Sequence, residues 1–276
     1  MKITALNITP VTNHREREKG IIVYPVYSRR SAGLSVGINL YPDKKTCRFS
    51  CPYCEVFPFS CNAQFSIGQM EDDLYTAIQA AHEQNIPVKD ICFSGNGEPT
   101  LSPFFTKAVK SSETIRNKAA PNACLVVITN GTGLQHKNIF SFLKETARNS
   151  FFDIWLKLDA GTPGWYQKIN RCALPFDTHI KIIKEFSSSA VFTVQTMLCA
   201  VNGEQPPQEE EHSWEELALE LAANKVRKVQ LYGKARSSPE DPLAPELPQE
   251  YLEKRASSLR SKFKEKGITT PVEVFI

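Results

Sequence analysis

The stretch CRFSCPYC, residues 47–54, sets Cys47, Cys51 and Cys54 at gaps of three and two residues. Three thiolates spaced this way can fold round one face of a cubane iron–sulfur cluster, each binding a different iron. The fourth iron is then left without a protein ligand. An open metal position admits a small molecule, as an open zinc site admits substrate. The same thiols could instead clasp a single zinc ion with Cys61 as fourth ligand, although the gap of six residues after Cys54 is unusual for zinc.

Other chemistry-bearing residues follow the ends of apolar runs. In FSGNGEPTL (93–101), Gly95 and Gly97 flank Asn96 and let the backbone pass close to a ligand, while Glu98 offers a carboxylate. Taken alone, this stretch reads equally well as a turn. ITNGTG (128–133) places Thr129 and Asn130 beside Gly131, and LKLDAG (156–161) holds Lys157 and Asp159. Strand residues alternate sides, so Lys157 and Asp159 face the same way, and buried charges need a ligand or each other. Gln195 and Gln230 sit on strands and either project inward or face a helix.

Arg29, Arg30, Arg171 and Arg236 are expected near strand ends, where four guanidiniums would favour an anionic partner: phosphate, carboxylate or RNA. Cys92 and Cys124 lie in apolar runs and read as core. Cys61 and Cys172 are left for an auxiliary cluster or a reactive thiol. The five histidines share no spacing and read as surface residues.

Two kinds of segment must position these groups. Short, continuously apolar runs at 33–41, 88–94, 124–129, 151–158, 190–198, 228–233 and 271–276 suit strands buried on both faces. Helical periodicity marks 70–85 and 249–265, and further helices are expected at about 103–116, 135–147, 177–186 and 214–223. This alternation argues for right-handed βαβ units. Because the informative residues follow strand ends, the expected fold is α/β, a partial (β/α)6 TIM-like barrel with its site at the C-terminal edge. One domain over 1–276 is expected, with 1–30 an irregular wrap, 202–212 a polar surface loop, and 240–276 a closing helix and strand.

The 276 residues are 41% hydrophobic and 23% charged, with a formal charge of +3, too small to mark a nucleic-acid binder by bulk electrostatics. No secretory leader and no bilayer-length apolar run is read, so a cytoplasmic protein with no membrane partner is expected. In such a compartment the eight cysteines point to metal before disulfides.

CRFSCPYC resembles the Cys-x3-Cys-x-aromatic-Cys signature of radical S-adenosylmethionine (SAM) enzymes. The resemblance implies a [4Fe–4S] cluster on Cys47, Cys51 and Cys54, with SAM chelating the fourth iron and Tyr53 near the adenine. It further implies that Gly95, Asn96, Gly97 and Glu98 receive the SAM amino group. Thr129, Asn130, Lys157, Asp159, Gln195 and Gln230 would line the rest of the SAM pocket. The implied reaction is reductive cleavage of SAM to a 5′-deoxyadenosyl radical, which abstracts hydrogen from a substrate. An electron donor such as flavodoxin or ferredoxin is implied as well.

Residues 25–47, 93–101, 157–171 and 229–239 together narrow the resemblance to the branch grouped with wyosine-type tRNA-modifying synthases. The chain departs from that branch in having no cysteine before Cys47, so the second cluster of those synthases has no ligands here. The substrate stays open between a small molecule, RNA and a protein side chain, and an activating enzyme acting on a partner protein is the alternative. A non-catalytic zinc scaffold would leave Glu98, Lys157 and Asp159 without a purpose.

Overall fold

A computed structural model describes residues 20–56, 58–234, 238 and 246–276. Residues 1–19 of the expected wrap, with His14, lie outside the described residues, as do Arg236 and residues 240–245. The chain forms two compact units. The first takes the described residues up to Cys47, then Pro58–Thr129 and Asn149–Asp153; the second takes Arg48–Phe57, Asn130–Arg148 and Ile154–Ile276.

In the first unit, β1 (Val23–Ser28) pairs antiparallel with β2 (Gly33–Ile38), and β2, β3 (Val88–Phe93) and β4 (Cys124–Thr129) run parallel. Helices α1 (Ile67–Glu83) and α2 (Phe105–Ala119) connect them. Alternation puts Leu34, Val36, Ile38, Ile91, Phe93, Leu125 and Val127 on one buried face, and the Phe93 and Phe105 rings meet edge to face, 6.2 Å between centroids. The opposite face carries Ser35, Gly37, Asp90 and Cys92. The expectation of an irregular 1–30 is corrected here: Val23–Ser28 is a strand. Pro25 obscures it in the sequence, but a strand paired on one side only tolerates a residue without an N–H.

Strands β5 (Phe152–Lys157), which belongs to the second unit from Ile154 on, β6 (Phe192–Leu198), β7 (Val226–Gly233) and β8 (Val272–Phe275) are all parallel. The helices are α3 (Lys137–Thr146), α4 (Pro163–Ile169), α5 (Phe176–Ser187), α6 (Gln208–Ala222) and α7 (Gln249–Glu265). Register places Lys157 beside Gln195, Gln195 beside Gln230, and Gln230 beside Glu273. Residues 208–212, expected in a loop, begin α6 instead. Glu209, Glu210 and Glu211 fill its first turn, where acidic groups favour the positive end of the helix dipole. No helix among the described residues is long and apolar enough to cross a membrane.

Candidate functional site

The first unit gathers polar groups where β2, β3 and β4 end. Gly97 pairs with Thr46, the residue before Cys47: Glu98 N–H donates to Thr46 O at 2.9 Å and Thr46 N–H to Asn96 O at 3.0 Å. A Cβ on Gly97 would fall 2.0 Å from Thr46 O, so only glycine permits this approach. Gly95 has φ +123°, and Asn96 is held by Asn39, whose Oδ1 accepts from Asn96 N–H at 3.1 Å. Glu98 is buried and caps the short 3₁₀ turn Pro99–Leu101. Its Oε1 accepts from Thr100 N–H at 3.1 Å and from the hydroxyls of Thr100 and Thr129 at 2.5 and 2.6 Å. Gly95, Asn96, Gly97, Glu98 and Thr129 therefore stand together at one strand-end edge, with Asn39 and Thr100 as supports that sequence reading missed.

The second unit carries the loop 48–56 and the ends of β5 to β7. Phe49 is buried among aromatic rings, edge-on to Tyr166 at 5.8 Å and to His179 at 5.6 Å. Ser50 N–H donates to Asn170 O at 3.0 Å, and the Ser238 hydroxyl donates to Cys54 O at 3.2 Å. Cys51 is buried, and Asn170 Nδ2 donates to its sulfur at 3.7 Å.

Asp159, as expected, shares a side with Lys157. They pair at 2.9 Å, while Asp159 Oδ2 accepts from Tyr53 O–H at 2.5 Å and from Asn170 Nδ2 at 3.2 Å. Lys157 also bonds the Tyr232 hydroxyl and lies over the rings of Tyr53 and Tyr232, 4.9 and 4.5 Å from their centroids. Gln195 Nε2 donates to Gln230 Oε1 at 2.8 Å, and Gln230 Nε2 to Glu273 Oε2 at 3.1 Å. Both glutamines face the Lys157 side, which resolves their orientation.

Burial shapes the acid–base behaviour. It pushes the Cys51 thiol up, with the Asp159 charge adding to it, and pushes the Tyr53 phenol up in the same way. Burial alone would lower Lys157, but Asp159 and Tyr232 hold it above the ordinary lysine value, so it stays charged. Asn130 caps the turn beginning at Thr132 through its Oδ1, at 2.9 Å from Thr132 N, and its carbonyl bonds His179 Nε2 at 2.8 Å. His179 is 3% exposed, against the surface reading of the histidines, and burial lowers its pKa, keeping it neutral.

Three other expectations change. Arg29 and Arg30 sit in the turn between β1 and β2, level with the start of β2 and so at the opposite end of the strands from Gly95–Glu98. Arg236 lies outside the described residues, and Arg29 and Arg30 do not stand at the strand ends where the rim was expected. Cys61 donates to Pro42 O at 3.3 Å, and among the described residues no three Cys, His, Asp or Glu side chains are gathered to hold one metal ion. Cys172 is buried, its sulfur accepting from Leu174 N–H at 3.3 Å.

Among the described residues Cys47, Cys51 and Cys54 are not gathered round one metal ion, and what fits is the donor chemistry: three thiols for a cluster that takes one ligand per iron. Cys47, Cys51 and Cys54 lie in one loop and in no disulfide, and an amide N–H already reaches the Cys51 sulfur. The raised Cys51 thiol would reach its thiolate form through the metal's own charge.

No protein-family profile matches the chain. The UPF0026 protein of Helicobacter pylori is 30% identical over 131 residues, 45% of this chain and 39% of that protein. The match thus spans well under two thirds of that relative's length. Among solved structures, a radical SAM methyltransferase from Sphaerobacter thermophilus superposes with TM-score 0.63 at 16% identity, covering 92% of this chain and 69% of that one. Streptococcus suis SuiB bound to S-adenosylmethionine gives 0.63 at 14% identity over 86% of this chain and 50% of that one. Archaeal TYW1 gives 0.50 at 12% over 82% and 71%. The strand-and-helix alternation and the superpositions agree: this chain has the α/β partial-barrel fold of the radical SAM enzymes.

Proposed function

We propose that the chain works as a single radical SAM domain in which Cys47, Cys51 and Cys54 hold a [4Fe–4S] cluster and the strand-end groups hold SAM. The bound cofactors supply the reductive cleavage of SAM and a radical able to take hydrogen from a substrate. The protein's own residues bind, orient and shield. Glu98, with one oxygen fixed by two threonine hydroxyls, is a preoriented acceptor for an ammonium. Asn96 is held by Asn39, and Gly95 and Gly97 allow close backbone approach at the same edge. Lys157, kept charged by Asp159 and flanked by two tyrosine rings, suits a carboxylate or ribose hydroxyl. Gln195 and Gln230 add an oriented amide pair on the same side.

The observation that carries this reading is the cysteine loop itself: three closely spaced cysteines outside any disulfide, on a radical SAM fold, in a segment fastened by Phe49, Ser50 and Cys54 to neighbouring side chains and carbonyls. Anaerobic reconstitution with iron and sulfide tests it. A brown protein with about four irons per chain, as a [4Fe–4S] cluster requires, and 5′-deoxyadenosine release with SAM and dithionite are expected. Replacing Cys47, Cys51 or Cys54 with Ala should abolish both. Full cleavage by any of these variants would remove the assignment.

We place the protein in the cytoplasm with a flavodoxin or ferredoxin as its electron source. The substrate class is a small molecule, RNA or a protein. A protein substrate has one specific support: SuiB, similar in fold to this chain, has been solved with a precursor peptide bound. Comparing metabolites, tRNA nucleosides and peptides between a deletion strain and its parent would decide among the classes.

A further inference from the structure

Asn170 follows α4, is 2% exposed, and touches the cysteine loop twice. Its carbonyl accepts from Ser50 N–H at 3.0 Å, and its side-chain nitrogen donates to Cys51 Sγ at 3.7 Å. The same nitrogen donates to Asp159 Oδ2 at 3.2 Å. A carboxylate and a thiolate only accept, so chemistry fixes which end of the amide faces them: the nitrogen, one N–H to each. The oxygen cannot replace it without setting three electron-rich atoms against one another.

We propose, resting on the radical SAM reading above, that Asn170 is a positioning residue that raises the reduction potential of the cluster by hydrogen-bonding the Cys51 sulfur. Reduction places extra electron density on the cluster and its cysteine sulfurs. An N–H donor aimed at one of those sulfurs stabilises the electron-rich state more than the oxidised one. Burial strengthens the effect, because no water competes for the sulfur and the local dielectric is low. The neighbouring Asp159 carboxylate acts in the opposite direction, but Lys157, Tyr53 and the Met197 N–H already answer its charge. Asn170 thus presents the Cys51 sulfur with a donor in place of a bare negative charge.

The test is a potentiometric titration, followed by electron paramagnetic resonance, of the reconstituted wild type, Asn170→Leu and Asn170→Asp. Leucine keeps the approximate shape and removes the donor; aspartate keeps the shape and adds a charge. At a fixed poise the Leu variant should show a reduced-to-oxidised ratio about tenfold lower, a downward shift of about 59 mV for a one-electron couple. The Asp variant should fall further, with iron content and far-UV circular dichroism unchanged in both. A Leu variant with full iron and the wild-type potential overturns the proposal.

Should either variant fail to hold iron, the wild type decides alone. Protein labelled with ¹⁵N in its asparagine amides should show a ¹⁵N coupling in pulsed resonance spectra of the reduced cluster, and a missing coupling overturns the proposal. A wild-type chain that takes up no iron instead overturns the radical SAM reading, which keeps the two failures distinct.

Discussion

Asp159 accepts four donors: Tyr53 O–H and Asn170 N–H on one oxygen, Lys157 Nζ and Met197 N–H on the other. Removing it strands the Lys157 ammonium, which is almost wholly buried. Asp159→Ala should therefore cost about 3–5 kcal/mol of stability, the range for a buried pair that loses one partner. Thermal or urea unfolding of the cluster-free protein reads this, and a loss below about 1 kcal/mol would place the ammonium in contact with water. The Lys157–Asp159 pair was legible from the sequence because residues two apart on a strand share a face. Tyr232 was not, because only the β6–β7 register brings it level with Met197 and its ring over Lys157. His179 left a usable signal: Phe176, His179, Ile180, Ile183 and Phe186 recur at three- and four-residue steps along α5, which sets the imidazole on the buried stripe.

Two glycines fix how elements approach one another. A Cβ on Gly161 would lie 2.1 Å from the backbone nitrogen of Trp214, so the chain after β5 and helix α6 meet at a point with no room for a methyl group. Trp214 adds an indole N–H bond to Leu158 O at 2.9 Å. Gly161→Ala should lower stability by several kcal/mol because the obstacle is backbone; overpacking that can relax costs about 1–3 kcal/mol. A melting temperature within error of wild type would show that the contact gives way freely. Gly97→Ala acts on the other edge, where the methyl group would meet Thr46 O and force apart the bridge that seats the start of the cysteine loop. It should reduce iron retention after reconstitution by more than half, measured as iron per chain, while Gly68→Ala, with open space around its Cβ position in helix α1, should leave iron retention unchanged.

The seven apolar runs correspond to β2 through β8, since parallel strands buried on both sides leave continuous hydrophobic stretches. Helix α4 escaped because seven residues are too few for periodicity. Its only mark is local: Thr162 caps Trp165 N–H, with Pro163 in the first turn, the residue order that starts helices.

For the molecule as a whole, pH enters through Glu210. It is 3% exposed and accepts from Gly161 N–H at 2.5 Å and the Thr162 hydroxyl at 2.6 Å, with Arg255 also near. Burial nevertheless raises it from about 4.5 to about 6. The folded state thus holds this proton more tightly than the unfolded chain. The resulting stabilisation is full below about pH 4.5 and is lost as pH rises through about 6, a difference of roughly 2 kcal/mol. Between pH 5 and pH 7.5 the unfolding free energy of wild type should fall by about 1 kcal/mol more than that of Glu210→Gln, the variant showing the flatter profile. Equal profiles would assign the pH response to other carboxyls. At this scale the fold class was legible from strand–helix alternation and the cysteine spacing. The arginine rim was not, because sequence proximity to a strand does not say which end of the strand a turn occupies.

The amide row across β6, β7 and β8 has a direction. Glu273 can only receive, so Gln230 must turn its nitrogen outward and its oxygen inward, and Gln195 must follow. Polarity inside the sheet is therefore dictated from its last strand, like dominoes that can fall one way only. Were Glu273 an amide itself, both glutamines could reverse together, and the inner surface would lose its handed pattern of donors and acceptors without a single atom leaving the row.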